Sequence, residues 1–139
     1  MGVYWLEAEE TAAAAIARSE NRGCFDWPSL SMAGFRADEL AALWNVLRDT
    51  PSDSAALGDQ LSSDAVLRTS VARVPPEFVR RLAALKEPDT DRVAAQWVKF
   101  DGFAGCSREG AAVVLRELAS FAGCASDRGS SVLQVTDEL

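Results

Sequence analysis

Few groups in this chain could do acid–base chemistry, because its 139 residues include no histidine. The remaining candidates are pairs of carboxylates, such as Asp89 with Asp91 and Glu7 with Glu10. Both pairs lie at predicted helix starts, where acidic side chains complement the helix dipole. Helix capping and charge complementation therefore explain these carboxylates. The sequence predicts no catalytic residue, and we expect the protein not to be an enzyme.

Metal and cofactor sites find no better support in the sequence. The three cysteines, Cys24, Cys106 and Cys124, are scattered and lack CxxC spacing. A nucleophilic thiolate usually needs a histidine beside it, and zinc needs a tetrahedral set of ligands. The glycines between Gly102 and Gly110 are too loosely spaced for a phosphate loop and are not followed by Lys-Ser/Thr. We therefore expect no metal site and no cofactor.

Charge gives the clearest indication of function. The formal net charge is −7, and residues 1–70 carry 11 acidic against 5 basic groups, whereas residues 71–139 carry 10 against 9. Phosphate backbones repel an acidic protein, which argues against direct binding of nucleic acid. An acidic surface instead attracts basic partners. The first half of the chain is therefore predicted to present an acidic face to a basic protein.

Two aromatic residues accompany this acidic half. Phe25 and Trp27 lie in a predicted loop, Asn21–Phe35, that is punctuated by Gly23, Pro28 and Gly34. Its large apolar side chains either plug one end of the core or contact a partner as buried anchors. The predicted partner-binding residues are Glu7, Glu9, Glu10, Phe25, Asp26, Trp27, Asp49, Asp53 and Asp59.

Length and hydropathy indicate a single soluble globular domain, residues 1–139. No apolar stretch approaches the ~20 residues that a membrane helix needs. The N-terminus does not fit a secretory signal, because Glu7, Glu9 and Glu10 follow so early. We expect a cytoplasmic protein with no membrane contact, either a monomer or a homodimer.

Helical periodicity recurs along most of the chain. Apolar residues at Leu40, Leu43, Trp44 and Leu47 follow the spacing of one helical face, and Ser107 is suited to cap the longest helix. Pro76 can occupy a first helical turn, whereas Pro88 is predicted to end that helix. The predicted helices span Leu6 to about Glu20, Asp38–Arg48, Pro76 to about Lys86, Asp89 or Thr90 to about Lys99, and Ser107 to about Ser126.

Strand signals are weaker. Residues 65–74 fit neither period cleanly, although their β-branched content favours a strand over a helix. Residues 131–136 alternate enough to predict a closing strand. The predicted fold is α+β and mainly α, with about five helices packed around one core and a small two- or three-stranded β element.

The order of these elements resembles that of a known group of proteins. The resemblance rests on LAALWNVL (Leu40–Leu47), RVPPEFVRRLAAL (Arg73–Leu85), RVAAQWV (Arg92–Val98), VVLRELASFA (Val113–Ala122) and a short final strand. It covers about residues 36–135 and is to small, acidic, stand-alone bacterial proteins of the toxin-immunity type. The resemblance implies an immunity protein that sequesters a cognate toxin by surface complementarity.

Two other binding functions suit an acidic protein of this size. One is a secretion chaperone, usually dimeric, that cradles an unfolded segment of an effector. The other is a phage-encoded inhibitor of a nucleic-acid enzyme, whose carboxylates mimic phosphates. A stable dimer with an exposed apolar groove would favour the first, and competition with nucleic acid would favour the second.

Overall fold

A computed structural model describes residues 2–18, 27–32, 35, 37–48, 60–64, 68–99 and 107–137. The strands are β1 (Gly2–Glu7), β2 (Ser29–Ser31), β3 (Gln60–Asp64), β4 (Thr69–Arg73) and β5 (Val132–Asp137). The helices are α1 (Ala13–Ala17), α2 (Ala37–Leu47), α3 (Pro76–Ala83), α4 (Glu87–Trp97) and α5 (Arg108–Asp127). A short 3-10 turn, Glu10–Ala12, precedes α1.

The five strands form one antiparallel sheet in the order β2-β1-β5-β4-β3. The predicted fold with a small two- or three-stranded β element is therefore wrong, because the sheet has five strands, although the fold is α+β. The strand predicted near the C-terminus is confirmed as β5, and the ambiguous residues 65–74 contain β4. The strands missing from the prediction are β1, β2 and β3.

Strand β1 was missed because both of its faces are buried. Val3 and Trp5 belong to the larger core cluster, whereas Leu6 and the half-buried Tyr4 pack in a second cluster. A strand buried on both faces shows no alternation of apolar and polar residues. Its last residues, Leu6 and Glu7, resembled the start of a helix, but the helix that follows is only α1.

The other differences between the predicted and the observed secondary structure have local causes. Strand β2 has only three residues, and β3 is a polar edge strand of sequence QLSSD, so neither has an apolar periodicity. Pro88 does not end α3, which stops at Ala83; it lies in the first turn of α4. A proline is tolerated there because the first-turn N–H groups have no partner within the helix.

The sheet separates two apolar clusters. The larger one joins Val3, Trp5 and Val132 of the sheet to the buried faces of α2–α5. The second joins Leu6, Leu133 and Val135 to Ile16 of α1 on the opposite side. The molecule therefore has three layers, with helices α2–α5 on one face of the sheet and the short α1 on the other.

Two buried tryptophans connect the elements of the larger cluster. The Trp5 Nε1–H donates to Gln134 Oε1 at 2.9 Å, which links β1 to β5, and the Trp97 Nε1–H donates to the Glu39 carbonyl at 2.8 Å, which links α4 to α2. The Phe78 ring of α3 meets the Trp5 ring edge-on, with 5.4 Å between ring centroids. Each buried indole N–H thus has the partner that burial requires.

The helix α5 begins after an N-cap residue, Ser107, as the sequence predicts. The Ser107 hydroxyl accepts from the Gly110 N–H at 3.1 Å, which confirms Ser107 as the N-cap. We expect Ser107→Ala to lower the free energy of unfolding by about 1 kcal/mol, because one first-turn N–H loses its partner. Ser107→Asp keeps an acceptor and should stay close to wild type. Equal losses for both variants in urea denaturation would contradict the capping role.

Candidate functional site

A cleft of about 450 Å³ opens where β1 ends and α5 turns into β5. We call it the Trp27 cleft. Its lining consists of Glu7, Ala8, Glu9, Ala12, Trp27, Arg128, Gly129 and Ser130. This volume lies within the range of about 300 to 1,000 Å³ that small-ligand sites occupy.

Backbone hydrogen bonds hold both walls of the Trp27 cleft. The Glu7 N–H donates to the Pro28 carbonyl at 2.9 Å, which ties the chain beside Trp27 to β1. The Ala8 N–H donates to the Ser131 carbonyl at 3.1 Å, which ties the end of β1 to the start of β5. The segments that carry the lining residues are therefore joined to the centre of the sheet.

The turn after α5 places Arg128 over Glu7. Gly129 has a φ of 64°, a left-handed conformation that glycine adopts without strain. The Ser130 N–H then donates to the Ala125 carbonyl at 2.9 Å and closes the helix end. The sequence gives a signal for this turn, since a glycine commonly follows the last helical residue.

Glu7 and Arg128, which both line the Trp27 cleft, form an ion pair with two hydrogen bonds. The Arg128 Nε and Nη2 groups donate to the two Glu7 carboxylate oxygens at 2.6 and 2.5 Å. Glu7 is only 7% exposed. The hydrogen bond from Arg128 lowers the pKa of Glu7 below its ordinary value and outweighs the opposing effect of burial. The carboxylate is therefore held in its charged form by a partner within the chain.

Glu9 and Glu10 are exposed and differ in their surroundings. Glu10 forms an ion pair with Arg73 at 3.0 Å and does not line the cleft. Glu9 lines the cleft, and within the described segments no arginine or lysine pairs with it; its carboxylate accepts only a weak hydrogen bond from Thr11 at 3.5 Å. Glu9 is therefore the carboxylate of the cleft whose charge is open to a partner.

Trp27 is half-buried and packs against the second apolar cluster. The packing agrees with the predicted role in covering the core, and Trp27 also lines the cleft; its contact with a partner stays a prediction. Of the predicted partner-binding residues, Glu7, Glu9 and Trp27 come together in the cleft and Glu10 lies outside it. The others lie outside the described residues: Phe25, Asp26, Asp49, Asp53 and Asp59.

Arg128 and Ser130 were not found from the sequence. Arg128 lies 121 residues from Glu7 along the chain, and no local pattern connects an arginine at a helix end with a carboxylate so distant. Ser130 contributes a further hydrogen bond that lowers the pKa of Glu7. Only the pairing of the terminal strands brings these residues together.

Ion pairs engage several charged residues on the helical face of the molecule. Glu77 pairs with Arg80 and Arg81 on α3, and Arg116 of α5 pairs with Glu87 at 3.0 Å. The hydrogen bonds to Glu87 raise the pKa of Arg116, and those from Arg80 and Arg81 lower the pKa of Glu77. The helices α3–α5 together contain seven acidic and five basic residues, a net charge of −2.

The carboxylate pair of α4 is engaged in the same way. Asp89 lies 3.4 Å from Arg92, and Asp91 lies 4.0 Å from Arg116. Asp89 also belongs to the first turn of α4, where it complements the helix dipole. Within the described segments, His, Cys, Asp and Glu side chains form no group of three or more that could hold a metal ion. Nor is any helix in those segments long and apolar enough to span a bilayer.

Net charge is unevenly divided between the described residues and the rest of the chain. The described segments contain 14 acidic and 12 basic residues, a net charge of −2. The other residues contain seven acidic and two basic ones, a net charge of −5. Residues 49–59 alone contain three aspartates and no basic residue, so they contribute −3 to the net charge of −7.

Compared with protein families, with curated proteins and with solved structures, the chain matches none of them.

The Glu7–Arg128 pair predicts how stability depends on pH. Because folding lowers the pKa of Glu7, the pair stabilises the protein above the ordinary glutamate pKa of about 4.3 and is lost as the pH falls through the folded-state value. At pH 7, we expect Glu7→Gln to lower the free energy of unfolding by about 1 to 3 kcal/mol.

The difference between wild type and Glu7→Gln should shrink as chemical denaturation is repeated at decreasing pH. Glu109→Gln, at an exposed position in the first turn of α5, serves as a control and should stay within about 0.5 kcal/mol of wild type. A difference between wild type and Glu7→Gln that is constant across the pH range would contradict the ion-pair account.

Proposed function

We propose that the protein is a non-enzymatic, cytoplasmic immunity protein that neutralises a basic toxin by forming a direct complex. The observation that carries this proposal is the Trp27 cleft, which is lined by an exposed carboxylate and a half-buried tryptophan on a hydrogen-bonded frame. Tryptophan is among the residues most enriched at the energetic centres of protein interfaces. The Glu9 carboxylate in the same cleft favours a basic partner.

The distribution of charge supports the same function. Among the described residues no arginine or lysine pairs with Glu9, and residues 49–59 contain three aspartates and no basic residue. An acidic surface accelerates association with a basic protein and disfavours wrong partners. A stoichiometric inhibitor needs such a surface and no reactive group.

The proposal is tested by capture at low ionic strength, followed by affinity measurements on the captured basic protein. We expect the double variant Glu9→Lys/Asp53→Lys to weaken binding by on the order of tenfold, mainly through slower association. The matched control is Glu109→Lys/Glu117→Lys, which makes the same change in net charge at two exposed positions of α5. The control should keep wild-type affinity.

A second readout connects binding with function. Co-expression of the wild-type protein should relieve the growth arrest caused by the captured partner, and the Glu9→Lys/Asp53→Lys variant should relieve it less. Equal binding by both double variants, with no dependence on salt, would contradict the proposal. Capture of unfolded segments by a stable dimer would instead identify a secretion chaperone, and displacement of the partner by DNA would identify a nucleic-acid mimic.

A further inference from the structure

We infer that the Trp27 cleft is a socket for an arginine side chain of the protein partner, an inference that rests on the proposed function and extends it. The sequence alone left two roles open for Trp27, a plug of the core or an anchor buried in the contact with a partner. The structure does not present Trp27 as a projecting anchor, because the half-buried residue lines a cleft. The partner then supplies the inserted side chain.

The charge of the lining selects a cation. Two carboxylates and one guanidinium line the Trp27 cleft. Glu7 and Arg128 neutralise each other through two hydrogen bonds, so the remaining charge of the lining is that of Glu9. An anionic ligand would meet Glu9 and would have to compete with Glu7 for Arg128. A cationic ligand meets Glu9 without disrupting any pair in the cleft.

The remaining walls suit an arginine. A guanidinium is planar, stacks on aromatic faces and makes paired hydrogen bonds to a carboxylate, so Trp27 and Glu9 offer it two complementary surfaces. The small side chains of Ala8 and Ala12 leave an apolar surface for its methylene stem. The same type of pairing already occurs within the fold, where the Arg48 guanidinium lies 4.7 Å from the ring centroid of Trp44.

The experiment uses the full chain and a capped Gly-Arg-Gly tripeptide as the probe. Its matched control is the tripeptide with citrulline, which keeps the shape of arginine and removes the charge. Binding is followed in nitrogen–proton correlation spectra through the four tryptophan indole N–H signals, with Trp27 assigned from Trp27→Phe. Trp5 and Trp97 are internal references, because their indole N–H groups are hydrogen-bonded in the core.

We expect the arginine tripeptide to shift the Trp27 indole signal saturably at low ionic strength, with the core indole signals unmoved. Glu9→Gln should weaken this binding at least about fivefold, which corresponds to the loss of one charged partner. Glu109→Gln should bind as wild type does. Equal shifts with the citrulline tripeptide, or equal affinity for Glu9→Gln and wild type, would overturn the inference.

A last comparison separates this inference from the proposed function. Trp27→Leu should weaken binding of the captured basic partner by at least about tenfold if its arginine occupies the cleft, since a few aromatic residues at the centre of an interface provide much of its affinity. A basic partner that binds Trp27→Leu with wild-type affinity would overturn the socket and leave the proposed function intact. If the protein bound the tripeptide in the cleft but neutralised no toxin, the socket would be supported and the proposed function would be overturned.

Discussion

The pairing of the two terminal strands is the constraint on which the rest of this structure depends. Strands β1 and β5 lie side by side along their whole length, from Gly2 opposite Asp137 to Glu7 opposite Val132. Trp5 and Gln134 face each other in this register and share a hydrogen bond on the side of the larger core. Both strands are buried on both faces. A shift of either strand by one residue would therefore move its side chains from one apolar cluster to the other.

The same pairing creates the Trp27 cleft. It brings the end of β1 beside the turn that follows α5, so that Glu7 meets Arg128 across nearly the full length of the chain. The pair neutralises the buried carboxylate, so the remaining charge of the lining is that of Glu9. The cleft therefore owes its position to the sheet, and the selectivity for a cation that we propose depends on one side chain. A site held in place by the fold in this way is expected to lose little entropy on binding.

The sequence predicted those parts of the fold whose signals are local. The Ser107 cap, the proline at the start of α3 and the β-branched closing strand each depend on neighbouring residues, and all three are confirmed. Strand β1 was not predicted, because burial on both faces removes the alternation that identifies a strand. Glu9 and Trp27 could be named from charge and aromaticity, whereas Arg128 could not, since its role comes from a contact across the sheet.

Native-state hydrogen exchange tests most directly whether the Trp27 cleft is a preformed part of the fold. The amides of Glu7 and Ala8 frame the cleft: the Glu7 N–H donates to the Pro28 carbonyl and continues the β1–β2 ladder, and the Ala8 N–H donates to the Ser131 carbonyl and continues the β1–β5 ladder. Their exchange should be nearly as slow as that of Trp5, with an opening free energy close to that of global unfolding. Exchange at the rate of an unstructured peptide would show that the cleft forms only transiently, which contradicts a preorganised site.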